Sequence, residues 1–235
     1  MPLKFDPQIL YEDNHCIAVV KPAGMLVQGD ISGDESLMDH LKDFIKHRNA
    51  KPGNVFLGLI HRLDRNVEGI VVFGKTSKGA SRISEQIRNH TFSKEYHAWV
   101  MGNVEPRQGT LIHYIERDAA QNISRALSFP RQGADKAELS YEVVESRSVG
   151  NQSFSLVKIQ LKTGRHHQIR AQFAAIHHPL MGDTKYGSPI ALADRKIALC
   201  ATAVEFEKPV PTEGADPRVT ISIPVPVFPL EITKN

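Results

Sequence analysis

Residues 61–75 read HRLDRNVEGIVVFGK, a polar, irregular segment that passes into the apolar run Gly69-Ile70-Val71-Val72-Phe73. The first half predicts a loop and the second a buried strand, since an unbroken apolar run of this length, bounded by polar residues, fits a strand covered on both faces. Asp64 stands in that loop between Arg62 and Arg65, and loops held on a rigid scaffold commonly carry catalytic groups. Neighbouring cations favour the ionised carboxylate. A structural ion pair and a catalytic acid are both open for these five residues taken alone.

Working outward, Cys16-Ile17-Ala18-Val19-Val20 predicts a second buried strand, ended by the turn Lys21-Pro22-Ala23-Gly24. Leu37, Met38, Leu41, Phe44 and Ile45 recur at helical spacing, and Ser77 is placed to cap a helix running to Asn89. Val55 to Ile60 forms a further apolar run. Tyr96, Ala98 and Val100 alternate with His97 and Trp99 in a strand pattern, and strands are expected over 110–115, 139–145 and 154–161. After Lys162-Thr163-Gly164 a helix is expected to begin, with Arg165 near its N-terminus, where unpaired amides favour anions. His177-His178-Pro179 ends it. The prolines of 224–229 predict an edge strand or extended segment. Strands outnumber helices without strict alternation, so the fold class is α+β with a mixed, mainly antiparallel sheet. No linker stands out, and one catalytic domain over 1–235 is the simplest organisation.

Composition narrows the function classes. The 235 residues are 41% hydrophobic and 23% charged, near globular averages. No apolar stretch is long enough to span a bilayer, and the first ten residues show no signal-peptide pattern. Cys16 and Cys200 lie far apart without metal-type spacing, which predicts buried thiols in a reducing cytoplasm. The net charge of +3 says little. Its distribution says more: residues 146–182 hold Arg147, Lys158, Lys162, Arg165 and Arg170 with no Asp or Glu, and His166, His167, His177 and His178 besides. Such a stretch suits a phosphate backbone, the bland alternative being a solvated basic face. The histidine spacing fits no common zinc pattern and no acid stands near, so no metal is expected.

Residues 61–75 resemble the signature of the RluA-type pseudouridine synthases, in which an HRLD segment carries the catalytic aspartate. Further likenesses follow in the family's order: Glu12-Asp13 with Val20-Lys21-Pro22-Ala23-Gly24, then Lys94-Glu95-Tyr96-His97-Ala98, then 161–170, then His178-Pro179-Leu180-Met181-Gly182-Asp183 to Tyr186-Gly187, then Leu199-Cys200-Ala201. They cover about residues 9–203, leaving 204–235 as a tail of extended or edge segments. The resemblance implies a mixed sheet with an active-site cleft across its middle, flanked by helices and loops. It implies Asp64 as the essential aspartate, Tyr96 as the ring beside the target base and a candidate base, and Arg165 as the partner of Asp64. RNA contacts are expected from His61, Arg62, Lys94, Lys162, His166, His167, Gln168 and Arg170. Core packing is the competing reading of Tyr96 from the strand pattern alone.

The implied reaction turns uridine into pseudouridine in ribosomal or transfer RNA. It needs no cofactor, because nothing is oxidised and nothing hydrolysed overall. A buried uridine must be flipped out of its helix to react. A monomer without an S4-like domain ahead of the motifs is expected. Two departures from the family stand out. Val67-Glu68 replaces a Thr-Ser pair, and Gln172 replaces a histidine. The first supports a catalytically silent RNA-binding protein as the main alternative. A hydrolase using Asp64 and Glu68 is a second, since most glycoside hydrolases use two carboxylates.

Overall fold

The computed structural model describes residues 5–50, 52–211, 213–214, 216–229 and 233–234. In chain order its strands are β1 (Ile9–Glu12), β2 (Cys16–Lys21), β3 (Gly58–Leu59), β4 (Glu68–Gly74), β5 (Ser93–Met101), β6 (Gln108–Asp118), β7 (Ile123–Leu127), β8 (Ala134–Val149), β9 (Gln152–Leu161), β10 (Ile190–Ala191), β11 (Leu199–Glu207), β12 (Arg218–Ser222) and β13 (Thr233–Lys234). The α-helices are α1 (Leu37–Arg48), α2 (Ser77–Arg88) and α3 (Gln168–Ala175). The chain forms two compact units, Met1–Ser93 with Thr202–Ile223, and Lys94–Ala201 with Pro224–Asn235. No helix among the described residues is long and apolar enough to cross a membrane.

In the first unit β2 pairs antiparallel with both β1 and β4, Val19 opposite Val71 and Lys21 opposite Gly69. Ile17, Val19, Val71 and Phe73 are as inaccessible as Cys16, Ala18, Ile70 and Val72. Both faces of these strands are therefore covered, which is why the sequence shows runs rather than alternation. Ile83 of α2 joins Ile70, Val72, Phe92 and Phe206 in one cluster. Asp13 shapes the β1–β2 turn, its Oδ1 accepting from the amides of His15 and Cys16 at 2.7 Å each.

Helix α1 starts with a reciprocal cap: the Ser36 hydroxyl accepts from Asp39 N–H, and the Asp39 carboxylate accepts from Ser36 N–H. For α2 the cap is Thr76, one residue before the expected Ser77. The extended backbone of Thr76 lets its hydroxyl accept from Gly79 N–H at 3.0 Å, while Ser77 is already the first helical residue. Gly79 belongs there because a Cβ would collide with the His15 carbonyl. The apolar run 55–60 yields only the two-residue β3, paired with the end of β4.

Glu12 ties β1 to the rest of the unit. It accepts from Arg48 Nη1 and Nη2 at 2.8 and 2.6 Å and from Lys75 Nζ at 2.6 Å. The Arg48 hydrogen bonds, reinforced by Lys75 and opposed by burial, lower its pKa from 4.5 to about 2. A depressed carboxylate contributes stability above its unfolded pKa and loses it as pH falls through the folded one. Glu12→Gln is expected to cost about 2 kcal/mol at pH 7, solvent screening at the partly exposed Arg48 trimming the full linkage value. Urea unfolding from pH 7 down to pH 3 should show the gap to wild type closing; a constant gap would refute this account.

The second unit orders its strands β5-β9-β8-β6-β7, every neighbouring pair antiparallel. Trp99, Phe154, Leu156, Met181 and Phe228 form one core cluster, with the Trp99 indole N–H donating to Pro226 O at 3.3 Å. Residues 224–229 form no strand among the described residues, in keeping with their prolines. The β11–β12 hairpin, Ala203 opposite Ser222, is the main element missing from the sequence reading. The alternation in Arg218-Val219-Thr220-Ile221-Ser222 was its available signal, and it follows a Pro/Gly-rich stretch that reads as tail. Helix α3 begins at Gln168, not near Arg165. His167, at φ +52°, turns the chain first, and the Gln168 side chain accepts from Arg165 N–H at 2.9 Å. That amide is therefore occupied and does not contribute to an open anion site.

Candidate active site

Asp64 is half-buried in the loop between β3 and β4, where its carbonyl accepts from Val67 N–H at 3.1 Å to close a turn. Leu63 and Val67 on either side are buried and anchor the loop to the core. His61 Nε2 accepts from Val72 N–H at 3.1 Å, and its ring packs on Phe92, so this histidine stitches the loop to β4. Arg62 is exposed.

The loop is fastened from a distant part of the sequence. Gly24 N–H donates to Arg65 O at 2.8 Å, and Arg65 Nε returns a bond to Gly24 O at 2.9 Å. Gly24 sits at φ +88°, which a side chain would oppose. Arg65 also pairs with Asp34 at 2.7 Å. Between turn and loop lies Lys21, with no exposed surface, its ammonium donating to Pro22 O, Met25 O and Arg65 O at 2.9, 2.9 and 3.0 Å. Burial lowers its pKa from 10.5 to about 8, while the charges of Asp64 and Glu68 hold it up and Arg65 pushes it further down. Lys21 is a site-forming residue that sequence reading left out. It stood in a motif but read only as part of a turn; its burial against the Asp64 loop is a tertiary property.

The second unit holds the other named residues. Tyr96 is buried in β5 opposite Ile159. Lys94 is half-buried, and desolvation pushes its ammonium pKa down. Lys162 Nζ pairs with Glu138 at 2.7 Å. Arg165, exposed, bonds Lys136 O at 3.2 Å and lies 3.6 Å from Asp135. His166 and His167 stack. Gln168 is buried and knots the 163–168 turn, its side-chain oxygen accepting from Thr163 Oγ1 at 2.8 Å. Arg170 is buried against Asp183, with bonds of 2.7 and 2.9 Å. Gln172, where the family has histidine, donates to Leu111 O and lies 3.1 Å from His113 Nδ1.

The acid-free stretch is thus not an uncompensated positive field. Arg147 pairs with Glu145, Lys158 with Glu95, Lys162 with Glu138, Arg165 with Asp135 and Arg170 with Asp183. Four of these carboxylates are supplied by strands β5 and β8, and the fifth follows the stretch itself. Among the described residues no group of three or more His, Cys, Asp and Glu side chains is arranged to hold a metal ion.

Asp64 belongs to the first unit and Tyr96 and Arg165 to the second. A family model described as RNA pseudouridylate synthase matches residues 15–175, running through both. An uncharacterized RNA pseudouridine synthase of Bacillus subtilis is 32% identical over 205 residues, which is 87% of this chain and 65% of that protein. A tRNA pseudouridine synthase C of Haemophilus ducreyi is 36% identical over 191 residues, 76% of this chain and 73% of the relative. A ribosomal large subunit pseudouridine synthase D of Nitrosomonas europaea is 32% identical, with half its length matched. The fold is similar to that of the human RNA pseudouridylate synthase domain containing 4, with a TM-score of 0.74 at 22% identity, covering 93% of this chain and 88% of that one. By the family model and these relatives, the chain belongs to the RNA pseudouridylate synthase family.

Proposed function

We propose that this protein isomerises specific uridines of ribosomal or transfer RNA to pseudouridine, with Asp64 as the essential carboxylate acting on a flipped-out nucleotide. The observation that carries the reading is the fastening of the Asp64 loop to the Lys21–Gly24 turn by a buried ammonium and two reciprocal Arg65–Gly24 bonds. Preorganisation of that kind suits a carboxylate that must meet a reacting atom in one orientation.

In the reaction the bond from ribose C1′ to base N1 breaks, the base turns, and C1′ bonds to C5. The proton lost from C5 is balanced by the one gained at N1, so no oxidant, reductant or water is consumed. Asp64 either attacks C1′ or takes the 2′ proton to give a glycal. Tyr96, with its ring on β5, accepts the C5 proton directly or through water. The resemblance names Arg165 as the cationic partner of the essential aspartate, and its own contact with Asp135 is loose and exposed. Arg62 and Lys162, both exposed, contact phosphates.

The family match running through both units supports a single catalytic domain. The buried thiols of Cys16 and Cys200 support a reducing compartment, the cytoplasm. One observation favours a second reading, a silent RNA-binding protein: Glu68 places a second carboxylate close enough to act on Lys21, where the family has serine. Pseudouridine mapping of total RNA from cells with and without the protein separates the two. Discrete sites should vanish without it; an unchanged map overturns the synthase reading in favour of the binder.

A further inference from the structure

Ahead of α3, four residues close a ring of contacts that the proposed chemistry does not use. Ser124, on the edge strand β7, donates its backbone N–H to the Tyr186 hydroxyl at 2.7 Å. That hydroxyl lies 2.9 Å from His167 Nδ1. The His167 ring stacks on His166 with centroids 3.8 Å apart, and His166 Nδ1 lies 2.8 Å from Ser124 Oγ. A phenol has one proton to give. With its oxygen accepting from Ser124, the phenol can spend that proton on His167 Nδ1 when the imidazole carries its own on Nε2, or accept from Nδ1–H in the other tautomer; either way the bond fixes the ring's orientation.

Tyr186 makes a second contact with its other surface. Its ring lies 4.8 Å from the Arg170 guanidinium carbon, while Asp183 grips the same guanidinium through Nε and Nη2. One residue therefore orients the imidazole before α3 and the arginine inside it. The backbone between them is strained: His167 has φ +52° and heads the helix without a side-chain cap bond. A non-glycine residue held left-handed costs roughly 1 kcal/mol or more and persists only where its surroundings impose it. Strain maintained by a part-buried polar ring is unneeded for filling space, which an apolar side chain would do without hydrogen bonds.

We propose that Tyr186 is a positioning residue for RNA recognition: its hydroxyl presets His167, its ring presets Arg170, and together they shape the 162–170 segment before RNA arrives. This rests on the reading of that segment as the RNA-facing one. It adds a residue outside the segment, on the short helical turn Thr184–Tyr186, which acts through it.

The test compares Tyr186→Phe, Tyr186→Leu and Ser124→Ala with wild type. Binding is read by fluorescence anisotropy on unmodified transfer-RNA transcripts and a large-subunit ribosomal RNA transcript, and kcat, KM and melting temperature are read alongside. Tyr186→Phe keeps the ring and should weaken RNA binding and raise KM about tenfold, with kcat within about twofold. Tyr186→Leu should lose more. Ser124→Ala keeps the backbone donor and loses only the His166 contact, so about a threefold loss is expected. A merely structural tyrosine would lower the melting temperature of Tyr186→Phe and leave affinity and KM at wild-type values. That result overturns the proposal, as does a wild-type protein that binds neither RNA. Should Tyr186→Leu fail to fold, Tyr186→Phe alone decides. Wild-type protein that binds RNA tightly but forms no pseudouridine sinks the catalytic reading alone; weakened binding by Tyr186→Phe then still supports the positioning role.

Discussion

Asp64→Ala is expected to abolish pseudouridine formation, lowering the rate by at least about 10⁴-fold, and to leave RNA affinity within about twofold of wild type. A loss of that size is about 5 kcal/mol of barrier, the scale of a group that bonds to, or takes a proton from, the reacting sugar. Asp64 is half-buried, and the flanking Leu63 and Val67 anchor the loop independently of its carboxylate, so the variant should fold. Asp64→Asn keeps the shape and removes only the charge; it should be as inactive as the alanine variant. Single-turnover assays with excess enzyme on the mapped RNA provide the measurement. Pseudouridine appearing at more than a few per cent of the wild-type rate in either variant would rule Asp64 out as the essential group.

Replacing Lys21 by Met should be the most damaging change away from the reacting groups. The ammonium satisfies three backbone carbonyls in a place without water, and an apolar side chain leaves them unpaired at about 1–3 kcal/mol each. Part of that is offset, because the ammonium's own desolvation also disappears. A net loss of about 3 kcal/mol is expected at pH 7. Activity should fall about 100-fold even in the folded fraction, because the Arg65 carbonyl next to Asp64 loses its tether and a displacement near 1 Å has that effect.

Alkaline pH provides a second signature of Lys21. Its folded pKa of about 8 lies below the 10.5 of an ordinary lysine, so between these values the unfolded chain holds more protons. The burial cost of the ammonium is present below pH 8 and is relieved as pH rises toward 10.5. The wild-type protein therefore gains stability on Lys21's account across that window, and Lys21→Met does not. Urea unfolding of both at pH 7 and pH 9.5 measures the difference. A gap between them that stays constant would show that Lys21 is not held as a buried cation.

Much of the second unit and the core of the first were readable from local pattern. The run at 16–20, the run at 69–73 and the helical spacing of 37–45 each signal their own burial, because a strand covered on both faces and an amphipathic helix leave direct marks in residue order. The HRLD loop was different: its five residues left a structural ion pair and a catalytic acid both open, and only the resemblance of the whole motif series to a family pointed to a site. The β11–β12 hairpin was less readable. The start of α3 was misplaced, since the Gln168 side chain ties the Arg165 amide into a turn ahead of the helix and a left-handed histidine delays the first turn.

By itself, residue order determined which segments are buried, because burial follows from periodicities within about fifteen consecutive residues, and the α+β class and the family, because the order of elements and of motifs along the chain carries them. Tertiary structure alone decided where charges are answered. It brought Lys21 under the Asp64 loop across more than forty positions of sequence, and carboxylates of β5 and β8 onto the arginines and lysines of an acid-free stretch. The physical reason is range: a side chain's periodicity is set by its neighbours in the chain, whereas its electrostatic partner is set by strand register, which pairs residues tens of positions apart.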